Sequence, residues 1–138
     1  MANVVLISCV KKKLGHAAQA KDLYASPLFK LSLEYARTLN PDKIFILSAK
    51  YRLLSLEKVV EPYNQTLKLM KSAERKEWAA EVLKELNKET DLKNDRFVLL
   101  AGKPYLERIE HEIAHREEPL KGLPIGKRVS RLKELIKG

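Results

Sequence analysis

Val4-Val5-Leu6-Ile7-Ser8-Cys9-Val10-Lys11 is the stretch on which the fold turns: an unbroken apolar run that ends in small residues and a lysine. A strand with one wet face alternates apolar and polar side chains. One covered on both faces, as parallel strands of α/β proteins are, is apolar throughout. The same pattern recurs in Ile44-Phe45-Ile46-Leu47-Ser48-Ala49-Lys50-Tyr51 and again in Phe97-Val98-Leu99-Leu100-Ala101-Gly102-Lys103-Pro104-Tyr105.

Helical patterns fill the intervals. Ser26-Pro27 reads as a helix start, since serine caps free amides and proline loses nothing at the first helical position. The stretch to Leu39 then carries Leu28, Leu31 and Tyr35 beside Phe29, Leu33 and Ala36, and Asn40-Pro41 stops it. A second helix from about Ser72 turns Trp78, Val82 and Leu86 inward and ends in the polar stretch Asn87 to Asp95. A third is expected after Gly102, striped by Leu106, Ile109 and Ile113, and a last after Gly126, with Val129, Leu132 and Ile136 inward. Strands alternating with helices predict a three-layer α/β/α domain over residues 1–138, with a mostly parallel sheet and right-handed crossovers.

Composition narrows the partners. A formal charge of +9 on 138 residues, with 45% hydrophobic residues, describes a chain able to bury a core and to attract polyanions. Abundant Lys and Glu is also the surface habit of hyperthermophile proteins, so charge by itself leaves nucleic acid and plain solubility both open. Cys9 is the single cysteine, which rules out an internal disulfide framework and favours the cytosol. The apolar N-terminus is too short to span a bilayer and has no basic segment before it, so no membrane association is expected. His16, His111 and His115 do not make a ligand set: His111 and His115 have helical spacing but no third partner, and neither metal nor cofactor is expected.

In an open parallel sheet, ligands bind outside the carboxyl ends of the strands. Here those ends are alike: Ser8-Cys9-Val10-Lys11, Ser48-Ala49-Lys50-Tyr51 and Ala101-Gly102-Lys103-Pro104-Tyr105. Small residues let a ligand approach the backbone, and lysine offers phosphate a point charge. Gly126-Lys127-Arg128, just before or within the first turn of the last helix, is either a candidate fourth element or a glycine turn with two solvated bases. The spacing is not that of a Walker loop. Between the second strand and second helix, the long connection from Lys50 to Lys71 holds Glu61-Pro62-Tyr63, where Glu61 is a candidate acid or base and Tyr63 or Tyr51 a platform for a base. Cys9 reads either as a small core residue or as a nucleophile.

Five motifs in order carry a resemblance over nearly the whole chain: Leu6 to Lys13, Lys21-Asp22-Leu23-Tyr24-Ala25-Ser26-Pro27-Leu28-Phe29, Ile46 to Tyr51, Glu61-Pro62-Tyr63, and Gly122-Leu123-Pro124-Ile125-Gly126-Lys127. The chain resembles a domain-of-unknown-function family of small bacterial, archaeal and phage proteins, distantly related to the YaaA peroxide-stress proteins. The resemblance implies that Ser8, Cys9, Lys11, Asp22, Leu23, Tyr24, Ser26, Ser48, Lys50, Glu61, Tyr63 and Gly126 belong to family motifs. Relatives often carry a His-Gly pair where Tyr51-Arg52 stands here, and the YaaA link implies DNA binding and protection from oxidative damage. Lys103-Pro104-Tyr105 with His111 is similar to part of the lysine-proline-tyrosine motif of archaeosine synthases, although Arg108 replaces that motif's serine and the preceding Pro-Cys pair is missing.

Two functions follow as expectations. One is an enzyme acting on a nucleotide, a nucleoside or a base within nucleic acid, through base or glycosyl-bond chemistry. In it, Cys9, Lys50 and Glu61 form the catalytic set, and Ser8, Lys11, Asp22, Tyr24, Ser48, Tyr51, Tyr63, Gly102, Lys103, Tyr105, Gly126 and Lys127 line the substrate site. The other is a DNA-binding stress-protection module without turnover, which needs only lysines and arginines spread along one face. A ligand sensor or partner-binding domain with a merely solubilising surface is the remaining reading.

Overall fold

The computed structural model describes residues 1–138. The three apolar runs are the parallel strands β1 (Asn3–Ser8), β3 (Lys43–Ser48) and β6 (Arg96–Leu100), with β1 paired to β3 on one side and to β6 on the other. Two edge strands complete a five-stranded sheet in the order β4-β3-β1-β6-β7: β4 (Arg52–Ser55) runs antiparallel to β3, and β7 (His115–Glu117) runs parallel to β6. A tight turn after β3 is closed by Arg52 in the left-handed region, at φ 63°. A separate two-stranded ribbon pairs β2 (Ala18–Gln19) with β5 (Val59–Val60).

The helices are α1 (Ala20–Leu23), α2 (Pro27–Thr38), α3 (Ser72–Glu89), α4 (Lys103–Leu106) and α5 (Ile125–Lys137). Ser26 caps α2 as its sequence predicts, its Oγ accepting the Phe29 amide at 3.2 Å. The chain leaves β1 and β3 in opposite directions along the sheet, so right-handed crossovers put α2 and α3 on opposite faces. α2 packs against β1 and α5, and α3 packs against β4. One cluster of 32 buried apolar residues runs through these layers, with Leu6, Ile46 and Leu47 wholly inaccessible.

The helix expected after Gly102 is the one element the structure corrects. Only one turn, α4, is α-helical, and the chain continues through turns and a 3₁₀ segment at Glu110–Glu112. Leu106, Ile109 and Ile113 are nonetheless all buried. The reason is spacing: the amides of Ile109 and Ile113 bond the carbonyls of Leu106 and Glu110, three residues back, and a three-residue period satisfies this apolar stripe as well as an α-helix does. β7 follows at once. Its sequence, His115-Arg116-Glu117, carries no apolar signal because it is a short, charged edge strand of the kind that resists edge-to-edge pairing.

The amino end of β1 is tied to the loop before β6. Asp95 accepts the amides of Ala2 and Asp91, both at 2.8 Å. These bonds hold its carboxyl below the ordinary carboxylate value. A depressed folded-state pKa contributes stability above the unfolded value and loses it as pH falls through the folded one. Replacing Asp95 by Ala strands two amides and should lower the free energy of unfolding by about 1–3 kcal/mol at neutral pH. In urea titrations the gap between variant and parent should close in strong acid; a gap that persists there would mean that the carboxylate charge is not what holds the loop.

Candidate functional site

The connection from β1 leads toward β3 and the connection from β6 leads the other way, to β7, so the carboxyl ends of β1 and β6 flank a topological switch point. Cys9 stands on one side of it. Its amide bonds the Leu47 carbonyl at 2.9 Å, which prolongs the β1–β3 pairing just past the end of β1. On the other side, Gly102 begins the single turn of α4, which swings Tyr105 back over the crevice. The Cys9 Sγ and the Tyr105 hydroxyl meet at 3.0 Å. α3 closes this region from one face: the Trp78 ring meets Tyr105 edge-on at 5.7 Å, and its Nε1 donates to the Ser48 carbonyl at 2.9 Å.

A second polar chain lies beside the first. The Tyr63 hydroxyl is 2.7 Å from that of Tyr24 and 2.8 Å from Ser48 Oγ, which also accepts the Tyr51 amide at 3.0 Å. All of these side-chain polar atoms are satisfied, as buried groups must be. Burial, ahead of the proximity of Cys9, pushes the Tyr24 hydroxyl up to about 12 and raises those of Tyr63 and Tyr105 as well. Near neutral pH these phenols are therefore uncharged and keep their protons to donate.

One cation enters this cluster. Lys13 Nζ lies 4.3 Å from the Tyr63 ring centroid and 5.8 Å from that of Tyr24, and donates to the Lys11 carbonyl at 3.1 Å. Burial lowers its pKa, and the proximity of Cys9 opposes that shift. Its place is set by backbone: Lys13 forms a β-bridge with Tyr24, flanked by bonds from Leu14 N to Leu23 O and from Ala25 N to Lys12 O, each 2.9 Å.

Of the residues expected to form a site, Cys9, Tyr24, Ser48, Tyr63 and Tyr105 come together. Tyr51 sits half-buried at the edge, its ring against that of Tyr63 and its hydroxyl donating to the Glu61 carbonyl at 3.1 Å. Lys50 Nζ lies 5.4 Å from the Tyr51 ring. Glu61 reaches this edge through its backbone, and the residue is exposed. Ser8 lines a small crevice with Ser32 and Arg128. Lys11, Asp22, Lys103, Gly126 and Lys127 are exposed, and Gly102 is half-buried, with Arg128 only 3.4 Å from where a Cβ would stand.

Lys13 and Trp78 are additions that sequence reasoning missed. Lys11-Lys12-Lys13 offers three equivalent ammonium groups on paper, and only the β-bridge to Tyr24 selects the third. Trp78 was legible as core, but not the bond from its indole to Ser48.

A cleft of about 560 Å³ lies elsewhere, at the amino ends of β1 and β6. Its floor includes Val5 and Val98, and its rim Arg96 and His115 are exposed. It has no buried polar side chain aimed inward comparable to the hydroxyls at the carboxyl ends.

Fold and site together define a doubly wound α/β protein with a buried thiol and hydroxyl cluster at its switch point. The family of unknown function DUF6884 matches residues 4–134, and the chain belongs to it. No curated protein and no solved structure matches the chain. No helix is long and apolar enough to cross a membrane.

The hydroxyl chain makes a measurable claim. Tyr63→Phe leaves the buried Tyr24 hydroxyl without its partner and should cost about 1–3 kcal/mol, whereas Tyr24→Phe with Tyr63→Phe should cost less than the two single changes added. Denaturation of the four proteins of this cycle measures the coupling, and strict additivity would deny that the hydroxyls act as one chain.

Proposed function

We propose that this protein is an enzyme acting on a nucleotide or on a base within nucleic acid, through base or glycosyl-bond chemistry at the cluster around Cys9. The observation that carries the reading is the contact between Cys9 and Tyr105 across the switch point, beside the Tyr24–Tyr63–Ser48 chain. A thiol held by an uncharged phenol in a nearly closed, polar setting suits a nucleophile, and hydroxyls with their protons retained suit the stabilisation of a developing oxyanion. Perturbed ionisable groups gathered at a ligand-binding position favour a site over ordinary core packing.

In this reading Cys9 is the nucleophile and Tyr105 orients it. Tyr51 is the ring left to a base, because Tyr63 is already covered by Lys13 and by Tyr51 itself. Lys50 and Glu61 serve at the mouth, Lys50 toward phosphate and Glu61 as acid or base to a substrate resting on Tyr51. A cytosolic setting belongs to the same proposal and is supported by the free thiol.

The surplus of positive charge supports a second reading, a DNA-binding stress-protection module without turnover, to which kinship with the YaaA proteins would belong. Thermal-shift screening against nucleosides, nucleotides and short DNA and RNA separates the two. The enzyme reading expects a small ligand to stabilise the parent and Cys9→Ala, Lys50→Ala or Glu61→Ala to change that shift or the turnover of the ligand. Stabilisation by long polyanions alone, equal in all variants, would replace it with the second reading.

A further inference from the structure

Part of the surplus positive charge of the chain stands at the carboxyl ends of the strands. The segments that leave the carboxyl ends of the strands hold Lys11, Lys12, Lys50, Lys103 and Lys127, all exposed. None of them takes part in an ion pair: the acid–base contacts are made by Arg52, Arg75, Arg108, His111, Arg116, Lys121 and Arg131. Asp22 and Glu61 are exposed acids on the connections to this side, and Glu107 is already engaged by Arg75 and Arg108.

At the opposite end of the sheet the loop acids are engaged locally. There Asp42, Asp91 and Asp95 stand among Lys43, Lys93 and Arg96, and the acids are spent on backbone amides: Asp42 on Asn3, Asp91 on Lys93 and Asn94, Asp95 on Ala2 and Asp91. Lys43 is itself spent on the Glu89 carbonyl. Exposed lysines outside ion pairs occur on the helices too, Lys30, Lys76, Lys84, Lys88 and Lys133 among them; those on the strand-end segments differ in standing at the ligand position of the fold. A surplus left unpaired on the loops around one site is the footprint of a polyanion.

Within the cluster, by contrast, Lys13 is the one ammonium group, and it is covered by aromatic rings. A free nucleotide held inside would bring a dianionic or more highly charged phosphate to a place with one partly desolvated cation. A polymer places its phosphates outside, on the rim, and offers only an uncharged base to the interior. We infer that the substrate of this site is a nucleic-acid strand, its phosphates held by Lys11, Lys12, Lys50, Lys103 and Lys127 while one base is presented at Tyr51 to the buried cluster. The inference rests on the enzyme reading above and specifies its substrate as polymer.

The test is fluorescence anisotropy with labelled single-stranded DNA, single-stranded RNA and duplex DNA, against a mononucleotide and heparin as competitors, over a range of salt. The parent should bind at least one oligonucleotide far better than the mononucleotide, and more tightly than heparin at matched charge. Lys11→Ala, Lys12→Ala and Lys103→Ala should each lower the slope of log affinity on log salt, by about 0.7 for a single strand or 0.9 for a duplex where one phosphate contact is lost. Lys93→Ala, at the opposite end of the sheet, should leave the slope unchanged, and Tyr51→Ala should weaken oligonucleotide binding without altering it. The relative affinities of the three oligonucleotides identify the strand type.

Equal affinity for mononucleotide and oligonucleotide, with no effect of the rim substitutions, would overturn the inference and leave the enzyme reading standing. Heparin binding as tight as any oligonucleotide, with Tyr51→Ala silent, would overturn both in favour of a backbone binder. Absence of binding to every probe would also reject the inference.

Discussion

Everything in this fold depends on β1 having a neighbour on each side. A strand with both faces covered and both edges paired must be apolar along its length and must place every backbone amide and carbonyl in the ladder. Val4, Val5, Leu6 and Ile7 meet the first demand, being almost wholly inaccessible, and the pairings with β3 and β6 meet the second. The consequence is positional. Where the apolar run stops, the chain emerges between two other strand ends, and Cys9 falls at the one place where connections diverge to opposite edges of the sheet. Position in the ladder, more than any property of a lone cysteine, puts the thiol within reach of Tyr105.

The central strands and the long helices were legible because their signals are local. An apolar run bounded by small residues has few other homes, and Ser26-Pro27 starts a helix by cap geometry alone. Small elements escaped for a physical reason. β2, β5 and α1 are each four residues or shorter and gain their stability from contacts to distant segments, such as the bonds of Ala20 and Lys21 to the Lys58 and Leu56 carbonyls. β7 is polar because it is an edge, and the stripe of Leu106, Ile109 and Ile113 does not distinguish α from 3₁₀ winding. The site was legible to the extent that it sits on strand ends: Cys9, Ser48, Gly102 and Tyr105 follow from the switch-point rule, Tyr63 from the long connection after the second strand, and Tyr24 from the motifs of the resemblance. Lys13 needed the bridge between two loops, which no local pattern announces.

The hydroxyl cluster is an odd investment for stability alone. Phenylalanine in place of the buried Tyr24 or Tyr63 would keep the ring and remove a polar atom that must otherwise be paired, and a satisfied pair is worth little more in the folded protein than its hydration in the unfolded chain. Tyr105 is bound to a thiol, a weak partner that returns less than a hydroxyl would. A chain that needed only to fill this space had cheaper residues for it. Deviations of this kind gather where structure is spent on function, and here they gather at a ligand position of the fold, ringed on the outside by unpaired lysines. The polar interior and the basic rim are independent features, one built by burial and the other by lysines on the segments that leave the strands, and they share one end of one sheet. The proposed substrate, an anionic polymer presenting an uncharged ring, is a ligand whose chemistry would use both.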